Sequence, residues 1–208
     1  MKFEFLKQID ESSPLILVFL GYSFTPDCLK HLKIPQKCDL CVVYDYTDLE
    51  IGGEFKDSLK GREIYLLAWS MGVWAANLTL GEFEFKKCVA INGTPFGIDE
   101  KFGITRSVFE NEILKFDFEN FKKLCFLSDL KSVNFSFSEN PKAELEAIFR
   151  ANSRICENKI SWDKVYISKK DFIFPPKACE WFECEKIYLN APHFVFFKFS
   201  DFGEFFEI

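Results

Sequence analysis

The stretch "LLAWSMGVWAA" (66–76) places one serine, Ser70, between an apolar run and a segment rich in helix formers. The run predicts a buried strand and the segment predicts a helix. Ser70 would then lie in a sharp strand-to-helix turn, where the nucleophile of a G-x-S-x-G motif is held. Ala68 replaces the first glycine of that motif and Gly72 retains the second. Both are small, as the close approach of strand and helix requires, although a serine in this position can also serve only as a helix cap.

Apolar runs of similar length recur on both sides of this stretch. They are continuous rather than alternating, which is typical of strands buried on both faces of a parallel sheet. The runs are "LILVFLG" (15–21), "DLCVVYDY" (39–46), "REIYLLAWS" (62–70), "KKCVAING" (86–93), "KVYISKKD" (164–171) and "CEKIYLNAPH" (184–193). We therefore predict an α/β fold of the α/β-hydrolase type, a mostly parallel open sheet flanked by helices.

Other segments complete this sheet. "MGVWAANLTL" (71–80) and "PPKACEWF" (175–182) suit crossover helices, and the alternating "KFEFLKQ" (2–8) suits an antiparallel edge strand. Residues 97–160 lack a strand run and instead carry helical patterns, such as "VFENEILKF", "FENFKKLCFL" and "KAELEAIFRANSRI". We expect a single domain, 1–208, with a helical lid insertion at about 97–160, because ligands of α/β sheets bind beyond the strand ends that such an insertion covers.

Length and charge limit the classes of function. The chain has 208 residues, a net charge of -6 and a sequence pI near 5.1, which argues against a general nucleic-acid binder. No apolar segment is long enough for a membrane span, and the N-terminus does not resemble a targeting segment. These features predict a cytoplasmic protein without nucleic-acid or membrane partners, and we expect a monomer. The 27 phenylalanines indicate mainly a large core, with an acyl-chain surface as the alternative.

Eight cysteines raise the question of a metal site. Cys38 and Cys41 form a C-x-x-C pair, but Cys41 opens an apolar run and no second close pair follows. Cys179 and Cys184 are too widely spaced to complete a zinc site. We therefore predict buried free thiols, with no metal and no cofactor.

Two histidines decide the rest of the candidate site. In α/β-hydrolase enzymes the order along the chain is serine, acid, histidine, so His31 comes too early and His193 is the candidate base. The acid should end the preceding strand, where "KVYISKKDFIFPP" places Asp171. Asp129 and Asp163 are alternatives, but neither ends a convincing strand.

An oxyanion hole needs two backbone N–H groups. Met71 would open a helix, where its N–H has no intrahelical acceptor. The second donor should follow an early strand, and "LVFLGYSFTPD" supplies the N–H of Tyr22 beside a flexible Gly21. The Tyr22 ring would then line the pocket.

The chain resembles the small α/β-hydrolases of the BioG type, the pimeloyl-acyl-carrier-protein methyl ester esterases of biotin synthesis. The resemblance covers nearly the whole chain and is carried by "LGYSFTPD", "VVYDYTDL", "LLAWSMGVW", "VAINGTPFGI", "SKKDFIFPP" and "APHFVFFKF". It implies Ser70 as nucleophile, Asp171 as acid and His193 as base. Within this family, alanine before Trp69 is usual, whereas Tyr22 stands where tryptophan is frequent and Ser23 where glycine is frequent.

The resemblance also implies the substrate and the partner. The substrate would be a seven-carbon dioyl chain, methyl-esterified at one end and joined at the other to an acyl carrier protein. The insertion would meet that carrier, with contacts to substrate from Tyr22, Phe121, Lys122 and Arg150. Basic residues of the insertion include Arg106, Lys115, Lys122, Lys123, Arg150 and Arg154, but acids are about as numerous, so a solvated face of mixed charge is the alternative.

Two other functions stay open on the same residues. A thioesterase or general short-acyl esterase would use the same serine, because the choice of bond depends on which carbonyl reaches Ser70. A binding protein that kept the hydrolase fold without its chemistry is the third hypothesis.

Overall fold

One seven-stranded sheet forms the centre of the protein in the computed structural model, which describes residues 1–152 and 157–208. Its strand order is β1-β3-β2-β4-β5-β6-β7. The strands are β1 (Lys2–Lys7), β2 (Leu15–Phe19), β3 (Asp39–Tyr44), β4 (Ile64–Trp69), β5 (Lys87–Ile91), β6 (Lys164–Ser168) and β7 (Glu185–Leu189). Neighbouring strands from β3 to β7 pair in parallel, and β1 pairs antiparallel with β3 at one edge. The prediction of a mostly parallel sheet with an antiparallel first strand is confirmed.

The central strands have no exposed face. Every residue of β2 and β4 is buried, since helices and loops cover both sides of the sheet. Each predicted apolar run extends beyond the observed strand, and the extra residues at its carboxyl end form loops at that edge of the sheet. In the register between β2 and β4, Phe19 lies opposite Ala68, so the small side chain before Trp69 faces a large one.

Six α-helices flank the sheet in the described part of the chain. They are α1 (Gly53–Leu59), α2 (Met71–Leu80), α3 (Arg106–Leu114), α4 (Phe118–Phe126), α5 (Pro141–Ala151) and α6 (Gly203–Phe206). The helix predicted at 71–80 is α2. The crossover helix predicted at 175–182 is wrong in type, because Pro176–Trp181 forms a 3₁₀ helix. Short 3₁₀ helices are frequent connectors, and this one joins the loop after β6 to the segment before β7.

Helices α3, α4 and α5 follow β5 and precede β6, where the helical insertion was predicted. A 3₁₀ helix, Leu127–Ser132, continues from α4. The predicted pattern of α5 runs to residue 155, but Arg154 and its neighbours at 153–156 lie outside the described residues. Among the helices described, none is long and apolar enough to span a membrane.

Two apolar clusters pack on opposite faces of the sheet, and phenylalanines occupy both. On one face, Phe24, Phe126 and Phe194 contact one another with ring centroids 5.0–5.9 Å apart. Phe24 also contacts Trp69 and Phe137. Much of the phenylalanine content therefore serves as core, as predicted, and this aromatic cluster links the insertion to the strand that precedes Ser70.

Asp45 follows β3 and has a structural role. Its backbone adopts φ +60°, and its carboxylate accepts the N–H and the hydroxyl of Thr47. The same carboxylate lies 2.8 Å from the ammonium of Lys2. These contacts fix the turn after β3 and the start of β1.

Candidate active site

Ser70 lies in a strained turn between β4 and α2. Its backbone adopts φ +58° and ψ −127°, a conformation that costs of order 1–3 kcal/mol for a residue other than glycine. The Ser70 N–H donates to the carbonyl of Ile91 at the end of β5, at 2.8 Å. This bond between adjacent strands holds the serine at the carboxyl edge of the sheet.

Two glycines allow this turn to pack. A Cβ on Gly72 would lie 2.4 Å from the carbonyl oxygens of Phe19 and Leu20, and a Cβ on Gly93 would lie 2.2 Å from that of Ser70. Neither contact is possible for a larger residue. The small residue predicted at position 72 is therefore required. Sequence reasoning missed Gly93, although the glycine that directly follows β5 was a signal for it.

The three residues predicted as a catalytic set meet at this edge. Nε2 of His193 lies 2.9 Å from Oγ of Ser70, and Nδ1 of His193 lies 2.7 Å from Oδ2 of Asp171. Each of the three is at least nine-tenths buried. Asp171 and His193 belong to the loops that follow β6 and β7, so three strand ends supply the three side chains.

The Asp171 carboxylate is fixed at both oxygens. Oδ2 faces His193, while Oδ1 accepts the N–H groups of Ile173 and Phe174, each at 2.8 Å. The alternative acids lie elsewhere: Asp163 accepts the N–H of Cys88, and Asp129 contacts Ser128. The structure therefore brings Asp171, and neither alternative, to the histidine.

The backbone of His193 is held by two side chains that sequence reasoning missed. Its carbonyl accepts the indole N–H of Trp69 at 3.2 Å and the amide of Asn92 at 2.8 Å. The Asn92 side chain also donates to the hydroxyl and accepts the N–H of Ser168, the last residue of β6. Asn92 has φ +45° directly after β5, a left-handed conformation that only the folded structure shows. Asn92 therefore links the end of β5 to the ends of β6 and β7, the two strands followed by Asp171 and His193.

The predicted oxyanion donors lie on either side of Ser70. Met71 is the first residue of α2, so its N–H has no acceptor within the helix. A Cβ on Gly21 would lie 3.1 Å from Cβ of Ser70, which shows how closely the loop after β2 approaches the serine. Tyr22, the next residue, is buried and lines the cleft above Ser70.

A largely aromatic cleft opens above Ser70 and His193. It has a volume of about 810 Å³ including its mouth. Phe24 and Phe172 line it from loops of the sheet and Trp69 lines it from the end of β4. The insertion contributes Phe109, Phe116, Phe118 and Phe121. Glu112 and Asp117 are the acidic residues at its wall.

The predicted substrate contacts separate into two groups. Tyr22 and Phe121 line the cleft, with ring centroids 5.1 Å apart. Lys122 and Arg150 do not line it. Lys122 pairs with Glu119 and lies over the rings of Phe118 and Phe137, whereas Arg150 lies 3.8 Å from Glu146 on α5. The two basic side chains therefore do not reach the cleft in this structure.

The described cysteines lie mainly in the core. Six of these seven thiols are buried, and Cys184 is half-buried. Burial raises the pKa of Cys41 to about 12 and that of Cys125 well above its ordinary value. Residues 1–152 and 157–208 contain no cluster of three or more His, Cys, Asp or Glu side chains arranged to hold a metal ion.

The parallel sheet, the strained serine turn after β4 and the loops after β6 and β7 define an α/β-hydrolase. Solved α/β-hydrolases share the fold at low identity, among them an enol-lactonase from Burkholderia xenovorans at 13% identity, with a TM-score of 0.58 and 92% and 88% of the two chains covered. The profile of the family "Pimeloyl-ACP methyl esterase BioG" matches residues 1–205. The chain belongs to the BioG family.

Individual relatives agree with this assignment. A crystal structure of BioG from Haemophilus influenzae is 28% identical and covers 99% of both chains, with a TM-score of 0.86. An uncharacterized protein of Haemophilus influenzae is 33% identical over 89% of this chain and 91% of its own length. A malonyl-[acyl-carrier protein] O-methyltransferase of Bacteroides fragilis is 35% identical over 79% of this chain, but the match spans only 35% of that longer protein.

Proposed function

We propose that this protein hydrolyses the methyl ester of pimeloyl-acyl-carrier protein in biotin synthesis, with Ser70 as nucleophile, His193 as base and Asp171 as acid. The supporting observation is the contact series from Ser70 Oγ to His193 at 2.9 Å and on to Asp171 at 2.7 Å, at the floor of an aromatic cleft in a BioG family member. These distances suit proton transfer from the hydroxyl to the imidazole.

In the first half of the reaction, His193 Nε2 accepts the Ser70 proton as Oγ attacks the ester carbonyl. Asp171 holds the proton on Nδ1 and stabilises the imidazolium that forms. The N–H groups of Met71 and Tyr22 donate to the oxyanion of the tetrahedral intermediate. His193 then protonates the departing methoxide oxygen, so methanol leaves and an acyl-enzyme remains.

In the second half, water takes the place of methanol. His193 removes its proton as the water oxygen attacks the acyl-enzyme carbonyl, and the same two N–H groups hold the second oxyanion. Collapse of this intermediate breaks the bond to Ser70 Oγ, which recovers a proton from His193. The product carries a free carboxylate at the end distant from the carrier protein.

The cleft accounts for the acyl part of the substrate. Its aromatic lining suits a methylene chain, and Phe121 and Tyr22 would contact that chain directly. In this proposal the insertion acts as a lid, and the carrier protein stays outside the cleft mouth. Because Lys122 and Arg150 lie outside the cleft, any part that they play in substrate binding is with the carrier protein.

One relative supports a methyl ester as the substrate. The Bacteroides fragilis protein is named for methyl transfer to a malonyl group on an acyl carrier protein, and this chain matches about a third of it. A methyl ester on an acyl carrier protein as the substrate of this chain is consistent with that match.

The test incubates the protein with pimeloyl-acyl-carrier-protein methyl ester and measures methanol, free carboxylate and free carrier thiol. We expect methanol and carboxylate from the wild type and from Ser58→Ala, an exposed serine on α1, but not from Ser70→Ala. Release of the carrier thiol instead of methanol would show the alternative thioesterase. Failure of a fluorophosphonate to label Ser70, with the ester left intact, would show a binding protein without catalysis.

A further inference from the structure

Glu144 is a buried acid on the face of α5 that packs against the sheet. It is 1% exposed and lies among Leu145, Ala147 and Ile148 on that buried face. A carboxylate in such a place destabilises the fold unless hydrogen bonds satisfy it. Its partners therefore indicate why an acid occupies this position.

Both carboxylate oxygens accept backbone N–H groups from loops of the sheet. Oε2 accepts the N–H of Ser23 at 3.2 Å, and Oε1 accepts the N–H of Tyr46 at 3.1 Å. Ser23 follows Tyr22 in the loop after β2, and Tyr46 lies in the loop after β3. One side chain of the insertion thus joins two loops at the carboxyl edge of the sheet.

These contacts hold the loop of Tyr22 at both ends. The hydroxyl of Tyr46 donates to the carbonyl of Leu20 at 2.6 Å, so Tyr46 fixes the start of the loop while Glu144 fixes Ser23 at its end. Ser138, which precedes α5, also donates its N–H to the carbonyl of Ser23 at 2.7 Å. Gly21 and Tyr22 lie between the two fixed points.

We propose that Glu144 is a positioning residue for the oxyanion hole, which holds the Leu20–Ser23 loop so that the Tyr22 N–H faces the carbonyl attacked by Ser70. This inference rests on the proposed function. Glu144 acts through the loop and does not touch the reacting atoms. Its loss should therefore lower kcat more than it raises KM.

The ionisation of Glu144 gives this role a pH signature. Burial raises its pKa to about 7, the N–H groups of Tyr46 and Ser23 oppose that rise, Asp45 adds to it, and Ser138 opposes it. Burial, and after it the charges of Glu144 and Glu112, raise the pKa of the nearby Tyr22 phenol. Protonation turns one carboxyl oxygen into a hydroxyl, which is a poorer acceptor for the N–H that it faces. The loop should therefore be held best above about pH 7, where Glu144 is ionised.

Stability should change in the opposite direction. The folded-state pKa of Glu144 lies above its ordinary value, so the folded protein binds the proton more tightly than the unfolded chain. The stabilisation that comes from this tighter proton binding by Glu144 is fully present below the pKa that Glu144 has in the unfolded chain. It is lost as pH rises through about 7.

The experiment compares kcat of the wild type and Glu144→Gln on p-nitrophenyl butyrate from about pH 5.5 to about pH 9. The two proteins share every other residue, so pH effects common to both largely cancel in the ratio. We expect the kcat of the wild type divided by that of Glu144→Gln to be near one at low pH and to rise to about tenfold at high pH. The reason is that an oxyanion donor displaced by the substitution loses much of its effect. The midpoint should lie near pH 7. Glu146→Gln, the same change two residues along α5, should give a flat ratio near one.

A ratio for Glu144→Gln that is independent of pH would overturn the proposal. The wild type provides a second measurement that needs no variant: the amide protons of Ser23 and Tyr46 should shift together in NMR spectra, with a midpoint near pH 7. Chemical shifts of these two amide protons that do not change with pH in this range would also overturn the proposal. If Ser70→Ala still cleaves the ester, the proposed nucleophile fails, while the amide titration still decides the contacts of Glu144.

Discussion

The two halves of the candidate site are held by different forces. The half on the sheet, with Ser70, Asp171 and His193, is fixed by directional hydrogen bonds to backbone groups. The half on the insertion is held mainly by ring contacts, such as Phe118 against Phe121 at 5.7 Å and Phe121 against Tyr22 at 5.1 Å. In the proposed mechanism, the first half sets the angles and distances of the reacting groups, and the second provides an apolar surface.

This difference predicts how each half responds to substitution. A hydrogen bond has a narrow range of length and angle, so its loss moves a catalytic atom and lowers kcat. Packing between rings has a broad minimum, so its loss removes contact area and should mainly raise KM. Four substitutions test this difference between the two halves.

The largest effect should follow Asp171→Asn. The amide oxygen can still accept the N–H groups of Ile173 and Phe174, but the amide nitrogen cannot accept the Nδ1–H of His193. We expect kcat for the pimeloyl methyl ester to fall about 10³–10⁴-fold with KM little changed. Asp163→Asn, which alters the alternative acid near Cys88, should keep near-normal kcat. A loss below tenfold in Asp171→Asn would remove Asp171 from the mechanism.

Trp69→Phe should have a smaller effect in the same half. It removes the indole N–H that binds the His193 carbonyl and leaves the Asn92 contact in place. One hydrogen bond is worth about 1 kcal/mol, which corresponds to about a fivefold fall in kcat. Trp162→Phe is the matched control, because the buried Trp162 N–H has no acceptor in the described part of the chain. Equal kinetics for the two variants would contradict a role of the Trp69 N–H in placing His193.

Phe121→Ala tests the half on the insertion. It removes ring contacts with Tyr22 and Phe118 but no hydrogen bond to the three residues at the strand ends. We expect KM for the pimeloyl methyl ester to rise about fivefold, or about 1 kcal/mol, with kcat within about twofold of wild type. Phe3→Ala, at the exposed sheet edge, is the control for loss of a ring. A fall in kcat larger than the rise in KM would show that the two halves are not separable in this way.

Ser23→Gly should have the smallest effect, at the junction of the two halves. Ser23 adopts φ +67°, and its hydroxyl is buried without an acceptor in the described chain. Glycine adopts this backbone angle without strain and has no hydroxyl to leave unpaired, and it keeps the N–H that donates to Glu144. We expect the free energy of unfolding in urea to rise by about 1 kcal/mol, with kcat unchanged. A lower urea midpoint would show that the hydroxyl stabilises the loop.

The frequent glycine at this position in the family has a physical reason in the structure. The left-handed backbone at Ser23 is the conformation that glycine adopts most easily. The resemblance showed the difference between Ser23 and the family, but the backbone angle that explains it came from the fold. The backbone conformation of Asn92 also could not be predicted from the sequence "ING".

Glu144 shows most clearly why part of the site escaped prediction. Within the amphipathic pattern of α5, an isolated glutamate is expected on the solvent side. Its burial results from the packing of α5 against loops 98 and 121 residues earlier in the chain. Lys122 and Arg150 show the converse, since a basic residue in the insertion was expected near substrate and lies outside the cleft.

Local sequence patterns were sufficient to predict the strands along the chain, the turn at Ser70, and the order serine, acid, histidine. These depend on local periodicity and on residue types that few positions share, so they can be read from neighbouring residues. Three contacts are visible only in the folded protein. Asn92 links three strand ends, Gly93 packs under Ser70, and Glu144 reaches the loop of Tyr22. Such contacts join distant residues, and they exist only after the sheet and the insertion have packed together.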